Sequence, residues 1–311
     1  MKDARAVAGE RVRMSGLERR DEAAAARTLG DYIALTKPRL NGLVVATSAA
    51  GYYLGTSSNG ALNLPAMAAA VAGTALVAGG AAALNQVYER DTDALMRRTR
   101  MRPVPDGRVL PADARMFGLL LSAAGLALLG ARTNVLATAL ALATLLVYLA
   151  IYTPMKRRSP MATLVGAVPG ALPPLIGWVA AHGRLTPGGG ALFVIVFLWQ
   201  IPHFMAIAWL CRDDYGRAGF PMLPVIEPDG RRTGRQAVGY AAALVPASLI
   251  PTLVGLSGLA YAAVALVLGA ALLGLAVRFA ARRSDSSARW LFLASIAYLP
   301  LIWIVMIADK L

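Results

Sequence analysis

The sequence predicts an all-α, polytopic integral membrane protein, a bundle of nine transmembrane helices. Three observations predict it. Hydrophobic residues make up 57% of the 311, charged residues only 15%, and the mean hydropathy is +0.57. Soluble domains are nearer about 45–50% apolar and about 25% charged. Apolar runs close to membrane length recur along the chain, and the charged residues are confined to clusters between them. This composition excludes a disordered chain, a coiled coil and an ordinary cytosolic enzyme. A single cysteine, Cys211, excludes a disulfide scaffold and any multi-cysteine zinc or iron–sulfur site.

A helix needs about 20 mostly apolar residues to cross the hydrocarbon. Nine stretches meet this in order. The first is 40–57, and the second, 65–88, is rich in small residues between Gly73 and Leu84. The third, 116–131, is short enough to be tilted or partly buried. Then come 134–153 and 161–181. The sixth, 190–210, contains Pro202, which is expected to kink it and free a backbone carbonyl. The last three are 236–257, 260–278 (again rich in small residues) and 289–308. Small residues let membrane helices approach closely. The runs are continuous rather than alternating, which argues against strands.

The net charge of +14 would suit nucleic acid only if it lay on one soluble face. Instead the basic residues alternate with the spans, so no nucleic acid partner is expected. With the N-terminus in the cytoplasm, the inner segments hold 9, 7, 3, 5 and 4 Lys/Arg in chain order. The outer segments hold three, Arg132, Arg184 and Lys310. The positive-inside rule then puts the N-terminus inside and the C-terminus outside. Residues 1–35 carry both signs of charge and read as a flexible cytoplasmic arm that touches anionic lipid. No apolar stretch follows closely enough for a cleaved signal peptide. Residues 36–311 form the membrane domain.

Acidic residues are not required by topology, so their positions carry more information. Asn85, Glu89 and Asp93 follow the second span at i, i+4, i+8 and share one helix face, drifting about 40° per step. Such a face at a membrane helix end is costly unless it binds something. Oxygen ligands at this spacing suit Mg2+, which completes its shell with water and substrate phosphate. The following arginines, Arg97, Arg98, Arg100 and Arg102, suit phosphate charge. A salt-bridged helix end is the plainer alternative. Asp213 and Asp214, with Arg217 nearby, form a second acidic cluster after the sixth span. Two clusters on one side suggest a pair of metal ions bridged by a diphosphate. His203 lies about two turns from the cytoplasmic end of its span. It could line a cavity, contact substrate or ligate a metal, or it could hydrogen-bond the backbone freed by Pro202.

Six stretches, in order, resemble the intramembrane aromatic prenyltransferases, and within them the branch that farnesylates protohaem IX to make haem O. They are Thr36 to Asn41, Asn85 to Pro103, Tyr152 to Pro160, Gly166 to Trp178, Trp199 to Phe204 and Asp213 to Pro224. The resemblance runs from about Thr36 to the C-terminus. It implies nine helices around a central cavity capped by two polar loops, in a bacterial cytoplasmic (inner) membrane. It also implies Mg2+ as cofactor, with farnesyl diphosphate and haem B as substrates and a downstream haem-modifying enzyme as a partner. By the same resemblance Asn85, Glu89, Asp93, Asp213 and Asp214 hold metal. Lys37, Arg97, Arg102, Lys156 and Arg217 bind diphosphate, Tyr152 faces the allylic cation, and His203 lies on the haem side. Glu89 stands where the wider superfamily has Asp, and the second cluster is thinner than usual. Both departures resemble the haem-directed branch. Competing readings are a prenyltransferase for a quinone precursor such as 4-hydroxybenzoate, a secondary transporter, and a haem electron carrier. A transporter's charged sites belong near the midplane. An electron carrier would normally need paired axial ligands, and the chain has two histidines, with His182 in an expected outer loop.

Overall fold

The computed structural model describes residues 28–57 and 60–311. Nine long helices run through them: α1 (Pro38–Gly55), α2 (Leu64–Tyr88), α3 (Pro111–Arg132), α4 (Val135–Met155), α5 (Ala162–His182), α6 (Pro187–Leu210), α7 (Arg231–Leu253), α8 (Leu259–Arg282) and α9 (Asp285–Ala308). Each falls within a few residues of an expected span. Eight of them, α2 to α9, are long and apolar enough to cross a membrane. The exception is α1, which has 18 residues and carries Arg39 and Asn41 in its first turns. The protein is an integral membrane protein, and no strand occurs among the described residues.

Chain punctuation sets the helix ends. Proline opens α1, α2, α3 and α6, where a missing N–H costs nothing. Asn63 and Asn134 cap α2 and α4 with their side-chain oxygens, and Ser284 with Ser287 closes a capping box on α9. Within α6 the helix continues unbroken through Pro202.

Small residues decide which helices pair, because hydrocarbon provides no hydrophobic force between them. A Cβ at Gly51 of α1 would stand 2.0 Å from the Pro174 carbonyl oxygen of α5. A Cβ at Gly80 of α2 would stand 2.6 Å from the Gly118 carbonyl oxygen of α3. Both crossings therefore run backbone against backbone. The main core joins α5 and α6 to α7, α8 and α9 through Trp178, Trp199, Tyr261 and Tyr298.

The two ends of the bundle differ. At one end gather the start of α1, the ends of α2, α4 and α6, and the polar loops. At the other, Lys310 Nζ donates to the Tyr53 and Thr56 carbonyls at 2.8 and 2.7 Å, and Asn134 Nδ2 donates to the Val179 carbonyl at 2.8 Å.

Residues 1–27 of the expected flexible arm lie outside the described residues. The structure describes its remainder. Residues 28–35 are helical, and Leu35 is fully buried beside Ala83 and Val104. Gln86 Nε2 donates to the Leu35 carbonyl at 2.9 Å, and Asp31 is ion-paired with Arg108. A buried apolar side chain and two polar ties hold this stretch on the bundle.

Candidate active site

Asn85 and Glu89 end α2, and a short helix, Arg90–Leu95, follows at once. Backbone bonds from Glu89 N to the Asn85 carbonyl (2.9 Å) and Asp93 N to the Glu89 carbonyl (2.7 Å) carry the helical repeat across the junction. Asn85, Glu89 and Asp93 therefore keep one face. They are 1%, 4% and 1% exposed, which places that face inside the protein rather than in lipid. All three line a cavity of about 260 Å³ at the polar-loop end of the bundle.

Three cations meet these three side chains. Lys37 Nζ donates to Asn85 Oδ1 at 3.0 Å, Lys156 Nζ to Glu89 Oε1 at 2.9 Å, and Arg102 to Asp93 Oδ2 at 2.7 Å. Lys37 has a left-handed backbone (φ 51, ψ 61) just before Pro38. Such a conformation costs a non-glycine residue roughly 1–3 kcal/mol and points to a functional constraint. Enclosure in the cavity, with the Arg102 and Lys156 charges close by, pulls the Lys37 ammonium pKa down to about 7. The cleft thus holds more positive charge than its carboxylates relieve, and it favours an anion.

The wall opposite is aromatic. The last turns of α4 widen into a π-helix over Val147–Tyr152, followed by Thr153–Met155. Pro154 has no N–H to continue the ladder, and the Thr153 N–H and hydroxyl both reach the Tyr148 carbonyl instead. Thr153 Oγ1 also accepts from Asn85 Nδ2 at 3.2 Å, which fixes the amide's orientation. Tyr148 and Tyr152 both line the cavity, with ring centroids 5.3 Å apart. Lys156 Nζ lies 4.8 Å from the Tyr152 ring centroid. His203 and Phe204 of α6 complete this side.

A cap closes the cavity. The loop after α2 meets a short helix, Arg212–Arg217, that follows α6. Met96 packs with Ala218, Phe220 and Met222 in a small separate core. Arg98 lies 5.8 Å from the Tyr215 ring centroid, and the Arg97 backbone N–H donates to Asp214 Oδ1 at 3.3 Å. Burial raises the Tyr215 hydroxyl pKa, so this ring stays neutral.

Of the sequence candidates, Lys37, Asn85, Glu89, Asp93, Arg102, Tyr152, Lys156 and His203 line the cavity. Arg97, Asp213, Asp214 and Arg217 do not. Consecutive residues on a helix point about 100° apart, so Asp213, Asp214 and Tyr215 cannot all face inward. Tyr215 takes the inward position, Asp213 is exposed, and Asp214 pairs with Arg217. Asp213 and Asp214, expected at a second metal site, are therefore not part of this cavity. Among the described residues no group of three or more His, Cys, Asp or Glu stands together as a metal cluster. Sequence reasoning missed Tyr148, Tyr215, Phe220 and Met222 as cavity residues. For Tyr148 the signal was present, four residues before Tyr152 on the same face.

The first cluster fits one magnesium ion. Mg2+ takes one or two carboxylates and fills its shell with water and phosphate. Asp93 Oδ1 is buried and has no hydrogen-bond partner among the described residues, which marks an open ligand position. Glu89 and Asn85 supply further oxygens in the same cavity.

An apolar helical bundle with a cationic, carboxylate-bearing cavity at one end is the architecture of an integral membrane enzyme. The pattern of the UbiA prenyltransferase family matches residues 44–299, and the chain belongs to that family. It is 47% identical over 287 residues to the protoheme IX farnesyltransferase of Solibacter usitatus (strain Ellin6076), covering 90% of this chain and 98% of that one. Among solved structures it resembles a digeranylgeranylglyceryl phosphate synthase, with TM-score 0.77 at 16% identity over 91% of this chain and 98% of that one. It also resembles a UbiA homologue from Archaeoglobus fulgidus bound to GPP and Mg2+, with TM-score 0.60 at 16% identity over 89% and 99% of the two chains.

Proposed function

We propose that the protein transfers a farnesyl group from farnesyl diphosphate to a vinyl group of haem B, giving haem O. The observation that carries this is the joining, in one cavity, of Lys37, Arg102 and Lys156 with Asn85, Glu89 and Asp93, against the Tyr148 and Tyr152 rings. The relative's name supplies the acceptor.

The allylic C–O bond breaks and the diphosphate leaves with the electron pair. The vinyl group attacks the farnesyl cation, water adds to the resulting cation, and one proton is released. Asn85, Glu89 and Asp93 would hold one Mg2+, which when bound neutralises charge growing on the leaving diphosphate. Lys37, Lys156 and Arg102 exchange their present oxygen partners for phosphate oxygens. Tyr148 and Tyr152 present ring faces to positive charge. The Met96–Phe220 cap limits water, which would otherwise capture the cation early. His203 and Phe204 stand on the acceptor side. Asp214, Arg217 and the Arg97 backbone hold the cap in place, and Asp213 has no role at the reacting atoms.

The chain is read as spanning nine times in a bacterial inner membrane, with the N-terminus cytoplasmic and the C-terminus outside. The described basic residues support this, since Arg132, Arg184 and Lys310 alone lie in the segments at the end opposite the cavity. A haem-modifying enzyme downstream is the partner that would consume the product.

The test incubates purified protein with farnesyl diphosphate, Mg2+ and either haem B or 4-hydroxybenzoate, with EDTA controls, and identifies products by mass spectrometry. Metal-dependent farnesylation of haem alone is expected. Prenylation of 4-hydroxybenzoate alone would move the protein to the quinone-precursor reading.

A further inference from the structure

His203 is anchored through one ring nitrogen. Its Nδ1 stands 2.8 Å from Ser295 Oγ on α9, and that hydroxyl donates to the Phe292 carbonyl 2.7 Å away. A serine hydroxyl has one proton and a carbonyl can only accept. The proton therefore lies toward Phe292, and Ser295 Oγ is the acceptor for His203. Nδ1 carries the N–H, which leaves the lone pair on Nε2. Among the described residues no hydrogen bond reaches Nε2. The ring is not spent on the backbone loosened by Pro202.

The surroundings fix this arrangement. The imidazole stacks on Trp199 (5.1 Å between centroids, 21° between planes) and on Phe292 (5.2 Å, 26°). Trp199 Nε1 donates to the Ser295 carbonyl at 2.8 Å, tying the same turn of α9 to the same slot. The slot opens on the reaction cavity, which His203 lines together with Glu89 and Tyr152. A basic nitrogen held by two rings and a serine, in an otherwise apolar span, is costly unless the reaction uses it.

We infer that His203 Nε2 is the general base of the hydration half of the reaction, and that Ser295 positions it by fixing the tautomer. This rests on the vinyl acceptor proposed above. Once the terminal vinyl carbon has bonded to farnesyl C1, positive charge stays on the carbon next to the porphyrin. A water oxygen gives its lone pair to that carbon and forms the C–O bond. One O–H bond breaks, and Nε2 takes the proton. The imidazolium releases it to water as the products leave. A positioned base contributes about 10²–10⁴-fold to such a proton transfer. Without it the cation loses a neighbouring C–H proton instead and yields an alkene, lighter than haem O by one water. Prenyl transfer itself needs no base, so the two halves of the reaction separate in the variant.

The experiment uses the full-length protein with haem B, farnesyl diphosphate and Mg2+ in single turnover. It reads diphosphate release and the ratio of hydrated to dehydrated farnesyl-haem by mass spectrometry. In His203→Gln, which can still reach Ser295 but is not a base, formation of the hydrated product should fall further than diphosphate release does. The hydrated-to-dehydrated ratio should fall by about 10²-fold or more. Ser295→Ala should shift the ratio the same way by less, and Ser295→Thr should restore it. The two Ser295 variants decide the matter if His203→Gln does not fold. An unchanged ratio in His203→Gln and Ser295→Ala overturns the inference, because a purely structural role slows both products together. A changed Soret band of bound haem in His203→Gln also overturns it, because Nε2 would then be an iron ligand. If wild type makes no farnesylated haem, the acceptor reading fails and takes this one with it. If wild type makes haem O and the variants keep its ratio, only the present inference fails.

Discussion

Asp93 divides its carboxylate between two tasks: one oxygen accepts from Arg102 at 2.7 Å, and the other, buried, meets no donor among the described residues. A buried carboxylate oxygen without a partner costs about 1–3 kcal/mol or more. The cost is offset once a cation binds there. Asp93→Asn should lower kcat by about 10²–10³-fold, the loss typical of removing one transition-state charge contact. The Mg2+ concentration for half-maximal rate should rise, with helix content by circular dichroism kept. Wild-type Mg2+ dependence in this variant would remove Asp93 from the metal site.

Glu89 and Lys156 form a buried pair, 5% and 16% exposed at their side chains. Removing one partner strands the other charge and costs roughly 3–5 kcal/mol. Lys156→Met should therefore lower the melting temperature and raise KM for farnesyl diphosphate. Adding Glu89→Gln should recover most of the thermal stability and none of the activity. A thermal melt of the two single variants and the double variant tests the coupling. Additive losses would mean that the pair is not a unit.

Gly166 is where the Tyr152 ring rests. A Cβ there would lie 2.5 Å from Tyr152 Cε2. Gly166→Ala should push the ring, and the Lys156 ammonium above it, out of place. A loss of about tenfold in kcat/KM is expected, equal to about 1.4 kcal/mol. Helix content by circular dichroism should not change. Full activity would show that the ring position is not needed.

Orientation is open to a direct measurement. Reporter fusions after Arg132 and at Leu311 should read the outer compartment, and a fusion after Arg158 should read the cytoplasm. A cytoplasmic signal at Leu311 beside a cytoplasmic signal after Arg158 would mean that one of the five helices from α5 to α9 does not span.

Much of the molecule is legible along one dimension. Hydrocarbon thickness dictates run length, and the cost of charge in hydrocarbon keeps charge out of the runs, so the helices from α1 to α9 follow from composition alone. The Asn85, Glu89 and Asp93 face follows from helical spacing, since neighbouring turns stay in register across Glu89. What tertiary structure decided was the direction of side chains in the loops and at broken helix ends. Asp213 and Asp214 look like a twin of the first cluster in sequence, yet a short helix turns Tyr215 inward and leaves Asp213 exposed. The π-helix at Val147–Tyr152 depends on Pro154 and on Thr153 meeting Asn85 of another helix. Residues 28–35 read as a polar arm, but Leu35 finds a buried place beside Ala83 and Val104 that exists only once α2 and its following loop are packed. Periodicity and apolarity are local properties of a chain. Which of several polar side chains faces a cavity is settled by packing against distant residues, and spacing alone does not encode it.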